Sequence, residues 1–445
     1  MNKILAIFFI FVLVSGCSLD QKTGLWSKTD KIKKEIKKKE LSKPKELFTE
    51  SRASKKEFNS ELKIKIKSKP KKISYLNSLL NNAGQIDYNG NLKKISKYKF
   101  SKIKNFAQAG LNLVFDKNNI IFFEKKGTIL KFNEKSKLIW KKNFYNKSEK
   151  KLNPLLFFAN NSNVLVVTDS IAKYYAVNIK NGNLIWSKFN TSPFNSQIKI
   201  YKDKFFAIDF ENILRCYSIR DGREIWNLKT DQTFIKSQKI LSMIIINNKI
   251  YFSNSIGDIS AVDINTGRLI WQTPTQSSEV YDNAFHLKIS DIVGYKNSIL
   301  ISNNKNQFFS LDSKSGTFNW KQNVNSNLRP TIIDDIIFTV SVEGFLVIID
   351  NKNGNILRIT DLFNEFTYKL LLNKERSRAK FQPVGFLVAK ENIYLTTDNG
   401  RLFVIDILTG KIQLTLKIDR EKISKPFVHN KNLFIIKDNA IIKLN

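Results

Sequence analysis

Short runs of apolar residues recur along the chain, and each is usually preceded by Asn. Four clear runs begin at Ile250, Ile299, Ile336 and Ile393. They are rich in β-branched and aromatic side chains and lie in stretches where apolar and polar residues alternate, which is typical of β-strands. The pattern therefore predicts a chain built mainly from short strands.

A second pattern repeats downstream of these runs, and its best copy places Asp263, Thr266, Gly267 and Trp271 at fixed spacing. The tryptophans of the repeat are Trp140, Trp186, Trp226, Trp271 and Trp320. Its glycines are Gly182, Gly222, Gly267, Gly316, Gly354 and Gly410. The weaker copies have Ser136 in place of glycine, or Arg358 and Leu414 in place of tryptophan. The spacing between copies varies from 38 to 56 residues, which indicates variable loops between constant units.

Each repeat predicts a turn between two strands. An Asp or Asn four residues before the glycine favours this turn, because its side chain bonds to nearby backbone and the glycine accepts a positive φ. The tryptophan then lies on the next strand. Strands and turns repeated every 40 to 50 residues or so form the blades of a β-propeller. We therefore predict that each tryptophan packs in the core between neighbouring blades.

The two ends of the chain predict how the ring closes. Residues 439–445 align with residues 400–406 and stop where the next turn should begin. Residues 89–92 resemble the missing half, with Gly90 in the place of the repeat glycine. Seven whole units and one shared unit make eight. The predicted fold is all-β, an eight-bladed β-propeller over residues 76–445 whose last blade is closed by N- and C-terminal strands.

Residues 1–17 predict a secretory signal peptide. Lys3 precedes an apolar run over residues 4–14, and two small residues then lead to Cys17. The run is too short to cross a bilayer of about 30 Å as a helix. Its end resembles a bacterial lipobox, which implies cleavage before Cys17 and lipidation of that residue. Because Ser18 follows rather than Asp, the resemblance implies the outer membrane.

Residues 18–75 are predicted to form a Lys-rich flexible tether. Between Ser18 and Lys72 there are 19 basic and 8 acidic residues, and the apolar residues are scattered singly. Such a composition cannot form a core. Two interpretations stay open: the lysines lie near anionic lipid headgroups, or the segment is a solvated spacer.

Composition and charge restrict the kinds of ligand and site that the chain can be expected to contain. The net charge is +35, but only 11 of the 74 basic residues are Arg, the side chain best suited to phosphate and base recognition. We therefore expect no nucleic-acid partner. The chain has two cysteines, Cys17 and Cys216, and its two histidines, His286 and His429, lie far apart. This argues against a zinc site. We predict no metal, no cofactor and no catalytic residue.

The repeat at residues 261–271, together with the lipobox and the eight units, resembles the BamB family of outer-membrane assembly lipoproteins, which are propellers of PQQ-like repeats. The resemblance implies a non-catalytic, lipid-anchored scaffold on the periplasmic face of the bacterial outer membrane. The implied partners are BamA-type POTRA domains, other Bam complex subunits and unfolded outer-membrane proteins. The family's contact surface lies on loops between central blades, and the matching positions are Phe234, Ile235, Lys236, Asp282 and Asp291.

Two alternatives stay open. The same repeat builds PQQ-dependent dehydrogenases, which need a bound calcium ion and commonly a vicinal disulfide. The sequence has no Cys-Cys pair, and Pro274 stands where a calcium loop beginning at Asp263 would need a carboxylate. Lys411 follows Gly410, but the upstream glycine of a phosphate loop is missing. The other alternative is a propeller that binds an envelope polymer through a basic face.

Overall fold

The computed structural model describes residues 17–19, 26–28, 56–67, 82–103, 110–231, 239–276, 286–364 and 381–445. The chain separates into two units, Met1–Arg52 and Ala53–Asn445. The first contains an antiparallel pair of short strands, β1 (Cys17–Leu19) and β2 (Trp26–Lys28). The predicted signal peptide up to residue 16 and most of the predicted tether lie outside the described residues.

The second unit contains eight four-stranded antiparallel sheets, which we call blades. Each of the first seven is formed by four consecutive strands. Blade 1 contains β4 (Val114–Asp116), β5 (Asn119–Glu124), β6 (Thr128–Phe132) and β7 (Leu138–Lys142). Blade 2 contains β8 (Leu156–Asn160), β9 (Val164–Asp169), β10 (Lys173–Asn178) and β11 (Leu184–Phe189). Blade 3 contains β12 (Lys199–Tyr201), β13 (Lys204–Ile208), β14 (Ile213–Ser218) and β15 (Glu224–Lys229). Blade 4 contains β16 (Met243–Ile246), β17 (Lys249–Ser253), β18 (Ile259–Asp263) and β19 (Leu269–Thr273).

The remaining blades follow the same plan, except for the last. Blade 5 contains β20 (Val293–Tyr295), β21 (Ser298–Asn303), β22 (Gln307–Asp312) and β23 (Phe318–Gln322). Blade 6 contains β24 (Thr331–Ile333), β25 (Ile336–Val340), β26 (Phe345–Asp350) and β27 (Ile356–Asp361). Blade 7 contains β28 (Pro383–Ala389), β29 (Asn392–Thr397), β30 (Arg401–Asp406) and β31 (Ile412–Lys417). Blade 8 joins β3 (Lys94–Lys99) to β34 (Ala440–Leu444), β33 (Asn432–Lys437) and β32 (Phe427–His429).

Blade 8 closes the ring with strands from both ends of the second unit. Strand β3 is its outer strand, and Lys97 lies opposite Ile442 of β34. The aromatic ring of Tyr98 packs against Phe132 of blade 1, with ring centres 5.7 Å apart. The predicted all-β, eight-bladed propeller with a last blade shared by N- and C-terminal strands is therefore confirmed.

The alignment of the closing strand differs from the prediction by two residues. Lys93 and Asn445 exchange backbone hydrogen bonds, which puts Leu92 rather than Gly90 at the position of the repeat glycine. Leu92 accordingly has a φ of +57°. Gly90 is needed for another reason, because a Cβ there would lie 2.6 Å from the hydroxyl of Tyr88. A glycine between asparagines thus resembled the repeat without occupying its turn.

Burial explains the two kinds of apolar pattern along the chain. The inner strands of a blade are covered on both faces by neighbouring blades, so five of the six residues of β21 are buried. The outer strand β15 instead alternates between partly buried and exposed residues. First strands of neighbouring blades contact one another, as β12 does with β8 and β16. The first strands therefore line the centre of the ring.

A short helix, α1 (Lys147–Lys151), precedes blade 2. Asn146 and Glu149 form a capping box at its start: the Asn146 side chain accepts from the Glu149 N–H at 2.9 Å, and the Glu149 carboxylate accepts from the Asn146 N–H at 2.7 Å. A 3₁₀ turn spans Lys125–Gly127. Among the described residues, no helix has the length and apolar character needed to cross a membrane.

Residues 56–67, which we call the strap, lie within the predicted tether and pack against blades 6 and 7. Phe58 and Ile359 of β27 exchange backbone hydrogen bonds of 3.1 and 2.9 Å. The Ile64 N–H donates to the Leu408 carbonyl at 3.1 Å, and the Ile64 side chain is buried in the core of these blades. Edge pairing and apolar burial together hold the strap on the propeller.

Candidate functional site

Each repeat tryptophan docks against the glycine of the following blade. Trp226 of blade 3 lies at Gly267 of blade 4, where φ is +73° and an added Cβ would meet the indole ring at 2.6 Å. The same arrangement joins Trp140 to Gly182, Trp186 to Gly222, Trp271 to Gly316 and Trp320 to Gly354. The Gly and Trp that stand four residues apart in one repeat therefore serve two different blade interfaces.

Four of these five tryptophans also donate a hydrogen bond across the interface. The acceptor is the carbonyl three residues before the docked glycine, and the bonds are Trp140 to Ile179 (3.3 Å), Trp186 to Ile219 (2.9 Å), Trp271 to Ser313 (3.2 Å) and Trp320 to Asn351 (2.8 Å). The indole N–H of Trp226 has no hydrogen-bond partner within the described part of the chain. These contacts make the repeat residues part of the ring's architecture.

Arg358 occupies the tryptophan position in blade 6. Its guanidinium donates to the carbonyl of Ile407 at 3.0 Å, to that of Leu408 at 2.6 Å and to that of Leu62 in the strap at 2.9 Å. Gly410 holds the glycine position beside it. Burial lowers the pKa of Arg358, but a guanidinium keeps its charge in proteins. This side chain thus connects blade 6, blade 7 and the strap.

The turn at Asp263 uses its carboxylate for its own backbone. Asp263 Oδ1 accepts from the N–H groups of Asn265 and Thr266 at 3.0 and 2.9 Å, and from the Thr266 hydroxyl at 2.9 Å. Hydrogen bonds from Thr266 lower the pKa of Asp263. Within the described ranges, no group of three or more His, Cys, Asp or Glu side chains could hold a metal ion.

Two loops between central blades carry the positions predicted to bind a partner. Phe234, Ile235 and Lys236 belong to the loop between blades 3 and 4, and Asp282 belongs to the loop between blades 4 and 5. These four residues lie outside the described residues. Asp291 is described, and so are the roots of both loops.

The roots of these two loops are joined by hydrogen bonds. Asp231 lies at the start of the first loop. Its backbone carbonyl accepts a hydrogen bond from the Asn212 side-chain amide at 2.8 Å, and its carboxylate accepts one from the Gln272 side-chain amide at 3.1 Å. Gln272 lies on the outer strand of blade 4, which leads into the second loop. There the Gln276 amide donates to Gln307 at 2.8 Å. The two loops therefore leave neighbouring blades at the same end of the ring.

Asp291 lies near the centre of the ring, which differs from the loop surface predicted for it. Its carboxylate accepts from Arg329 Nε and Nη2 at 3.1 and 2.9 Å, and the side chains are only 13% and 10% exposed. Burial would raise the pKa of Asp291, but the charges of Arg329, Lys425 and Lys239 hold it well below the ordinary value. The local sequence could not reveal this position, because these cations come from other blades.

Comparisons with known proteins agree with the repeat and the fold. A family model for outer membrane protein assembly factor BamB matches residues 125–360. The BamB protein of Moranella endobia is 23% identical over 273 residues, which cover 59% of this chain. The match spans 66% of the Moranella protein, just under two thirds of that protein's length. The BamB protein of Legionella pneumophila is 24% identical over 162 residues, covering 36% of this chain and 35% of that protein.

Solved structures are similar in fold at low sequence identity. BamB from Moraxella catarrhalis superposes with a TM-score of 0.62 at 14% identity, over 80% of this chain and 99% of that one. Quinohemoprotein alcohol dehydrogenase from Comamonas testosteroni gives 0.60 at 9% identity, over 83% and 80%. These likenesses describe the propeller and leave its activity open. Because the family match spans more than half of its residues, the chain belongs to the family of outer membrane protein assembly factor BamB.

Proposed function

We propose that the protein is a non-catalytic scaffold lipoprotein of the β-barrel assembly machinery, and that it aids assembly and insertion of outer-membrane β-barrel proteins. Membership of the BamB family is the observation that carries this proposal. In this proposal residues 1–16 are removed, Cys17 is lipidated, and residues 18–75 connect the anchor to the propeller of residues 76–445. The propeller would then act on the periplasmic face of the outer membrane.

The proposed partner is the POTRA region of a BamA-type protein, with other Bam subunits and unfolded outer-membrane proteins nearby. The proposed contact surface comprises the loops after blades 3 and 4. Phe234 and Ile235 would form its apolar centre, and Lys236 and Asp282 would supply mixed charge at its rim. The bond between Asp231 and Gln272 supports a single surface, because it joins the roots of both loops. Asp291 is engaged by Arg329 and would contribute only indirectly.

Calorimetric titration of the mature chain with a BamA-type periplasmic region tests this surface. We expect Phe234→Ala to weaken binding by at least about 1 kcal/mol, because an aromatic anchor is lost, while the unfolding midpoint stays near that of the wild type. Phe189→Ala is the matched control, since Phe189 is an exposed phenylalanine on blade 2. Unchanged affinity in the Phe234, Ile235 and Lys236 triple-alanine variant would rule out this surface.

A PQQ-dependent dehydrogenase is the second candidate, because the fold is also similar to that of a quinohemoprotein alcohol dehydrogenase. Crosslinking in membranes, followed by pull-down and mass spectrometry, separates the two functions. Recovery of barrel-assembly subunits would support the scaffold. Recovery of a cytochrome together with bound quinone would support the enzyme.

A further inference from the structure

An open cleft of about 380 Å³, which we call the lysine cleft, lies between the outer strand of blade 1 and α1. Its walls come from three nearby parts of the chain: the 3₁₀ turn with the start of β6, the end of β7, and α1. The residues that line it are Lys126, Thr128, Lys141, Lys142, Asn143 and Lys150. Four of these six residues are lysines, and none of the six is acidic. The volume is within the range of clefts that bind small molecules.

Contacts within the protein hold the walls of the lysine cleft together. The Asn143 side-chain amide donates to the Lys126 carbonyl at 2.9 Å and to the Thr128 hydroxyl at 2.8 Å, so the end of β7 is joined to the 3₁₀ turn. Helix α1 contacts the same turn. The Glu149 carboxylate of α1 also accepts from Lys173 of blade 2 at 3.2 Å. The lysine cleft is therefore formed before any ligand binds.

The lysine cleft carries positive charge that the surrounding described residues do not neutralise. Lys141 forms an ion pair with Glu124 at 2.5 Å. Among the residues that the structure describes, the ammonium groups of the other three lysines, Lys126, Lys142 and Lys150, have no hydrogen-bond or ion-pair partner. Three ammonium groups around one cleft repel one another, and an anion placed among them would offset this repulsion.

We propose that the lysine cleft binds a phosphate group, carried either by a small soluble molecule or by a phospholipid headgroup. Lysine binds phosphate as a compact point charge with several donors, and three such side chains line the cleft. The Thr128 hydroxyl accepts from Asn143, so its own hydrogen is available to a phosphate oxygen. The site does not depend on the scaffold function proposed above or on the loops after blades 3 and 4.

Calorimetric titration of the full chain with inorganic pyrophosphate at constant ionic strength tests the soluble form of this ligand. We expect saturable binding with one site per chain. Lys142→Gln and Lys150→Gln should each weaken that binding by about fivefold, because one nearby charge is lost from a hydrated cleft. Lys135→Gln is the matched control, since Lys135 is exposed on the turn before β7, whereas Lys142 ends that strand. Thermal unfolding establishes that each variant is folded.

Lysine acetylation read by mass spectrometry distinguishes the two sources of phosphate. The full chain is acetylated with pyrophosphate in solution and, separately, in phosphatidylcholine vesicles with and without phosphatidylglycerol. At a ligand concentration about ten times the Kd, acetylation of Lys142 and Lys150 should fall by about tenfold, because mass action leaves few sites empty. Lys135 should react at an unchanged rate.

Protection by pyrophosphate supports a soluble phosphorylated ligand, and protection only in vesicles that contain phosphatidylglycerol supports a lipid headgroup. The proposal is overturned if neither condition protects Lys142 and Lys150, or if Lys135 is protected to the same extent. Pyrophosphate binding of wild-type affinity in both folded variants, Lys142→Gln and Lys150→Gln, would overturn it as well.

Discussion

The guanidinium of Arg358 donates a 2.6 Å hydrogen bond to the carbonyl oxygen of Leu408, at the interface where five other blades place an indole ring. Arginine has more donors than tryptophan, so it can serve a second acceptor as well. That acceptor is the carbonyl of Leu62 in the strap. Arginine therefore replaces the repeat tryptophan at the place where the strap crosses the outside of the propeller.

We expect Arg358→Ala to destabilise the protein by about 3 kcal/mol, because buried carbonyl groups lose charged donors and a buried side chain is removed. Arg220→Ala is the control, since Arg220 is exposed on a turn of blade 3. Urea unfolding measures both variants. In addition, hydrogen exchange at the Ile64 amide should accelerate in Arg358→Ala as the strap loosens. Equal unfolding midpoints for Arg358→Ala and the control would contradict this role.

The indole hydrogen bonds predict a difference between two conservative variants. Trp320→Phe removes the bond to the Asn351 carbonyl, whereas Trp226→Phe removes no hydrogen bond within the described residues. We expect Trp320→Phe to cost about 1 to 2 kcal/mol more in unfolding free energy. Alanine at Trp320, which is buried, should cost about 3 to 5 kcal/mol. The idea fails if both phenylalanine variants unfold at the same denaturant concentration.

The buried side chain of Lys199 predicts a stability that rises with pH. The pKa of Lys199 is about 7 in the folded protein and near 10.5 in the unfolded chain, so the unfolded chain binds more protons between these values and stability increases with pH there. We expect the urea midpoint to rise from about pH 7 to about pH 8.5. Lys199→Met should reduce this rise. Burial raises the pKa of Cys216, which acts in the opposite direction, so the comparison with the variant is the decisive one.

The proposed lipidation of Cys17 predicts the behaviour of Cys17→Ser. Because acylation needs the thiol, this variant should accumulate as an uncleaved or soluble precursor. Gel mobility and membrane fractionation measure both properties. Cys216→Ser is the control, since Cys216 is a buried free cysteine with no part in the anchor. Wild-type mobility and wild-type fractionation of Cys17→Ser would exclude lipidation at this residue.

The blades could be predicted from the sequence because each repeat contains a turn that is stabilised by residues close to one another in the chain. A turn such as the one at Asp263 is held by hydrogen bonds within a few residues, so its signature is visible in a short stretch. The number of blades and the shared closure followed from counting these turns. The position of Leu92 was missed because a positive φ is rare for leucine, and a nearby glycine was the more probable residue for such a turn.

The strap and the ion pair between Asp291 and Arg329 could not be predicted in the same way. Phe58 and Ile64 look like isolated apolar residues in a charged segment, and their partners Ile359 and Leu408 are hundreds of residues away. Asp291 looks like an exposed loop charge until the ring brings Arg329 beside it. Both features depend on contacts between residues that are far apart in the sequence, and a local sequence pattern does not show such contacts.

The pairing of Lys97 with Ile442 has a consequence for how the protein folds. This contact joins nearly the two extremes of the propeller sequence, so the loop that it closes is among the longest the domain can make. Individual blades can form as soon as their own hairpins are available, whereas the ring has to wait for its final strand. Until β34 is available, β3 has no partner strand in its sheet. The chain is therefore most vulnerable to intermolecular strand pairing before blade 8 is complete.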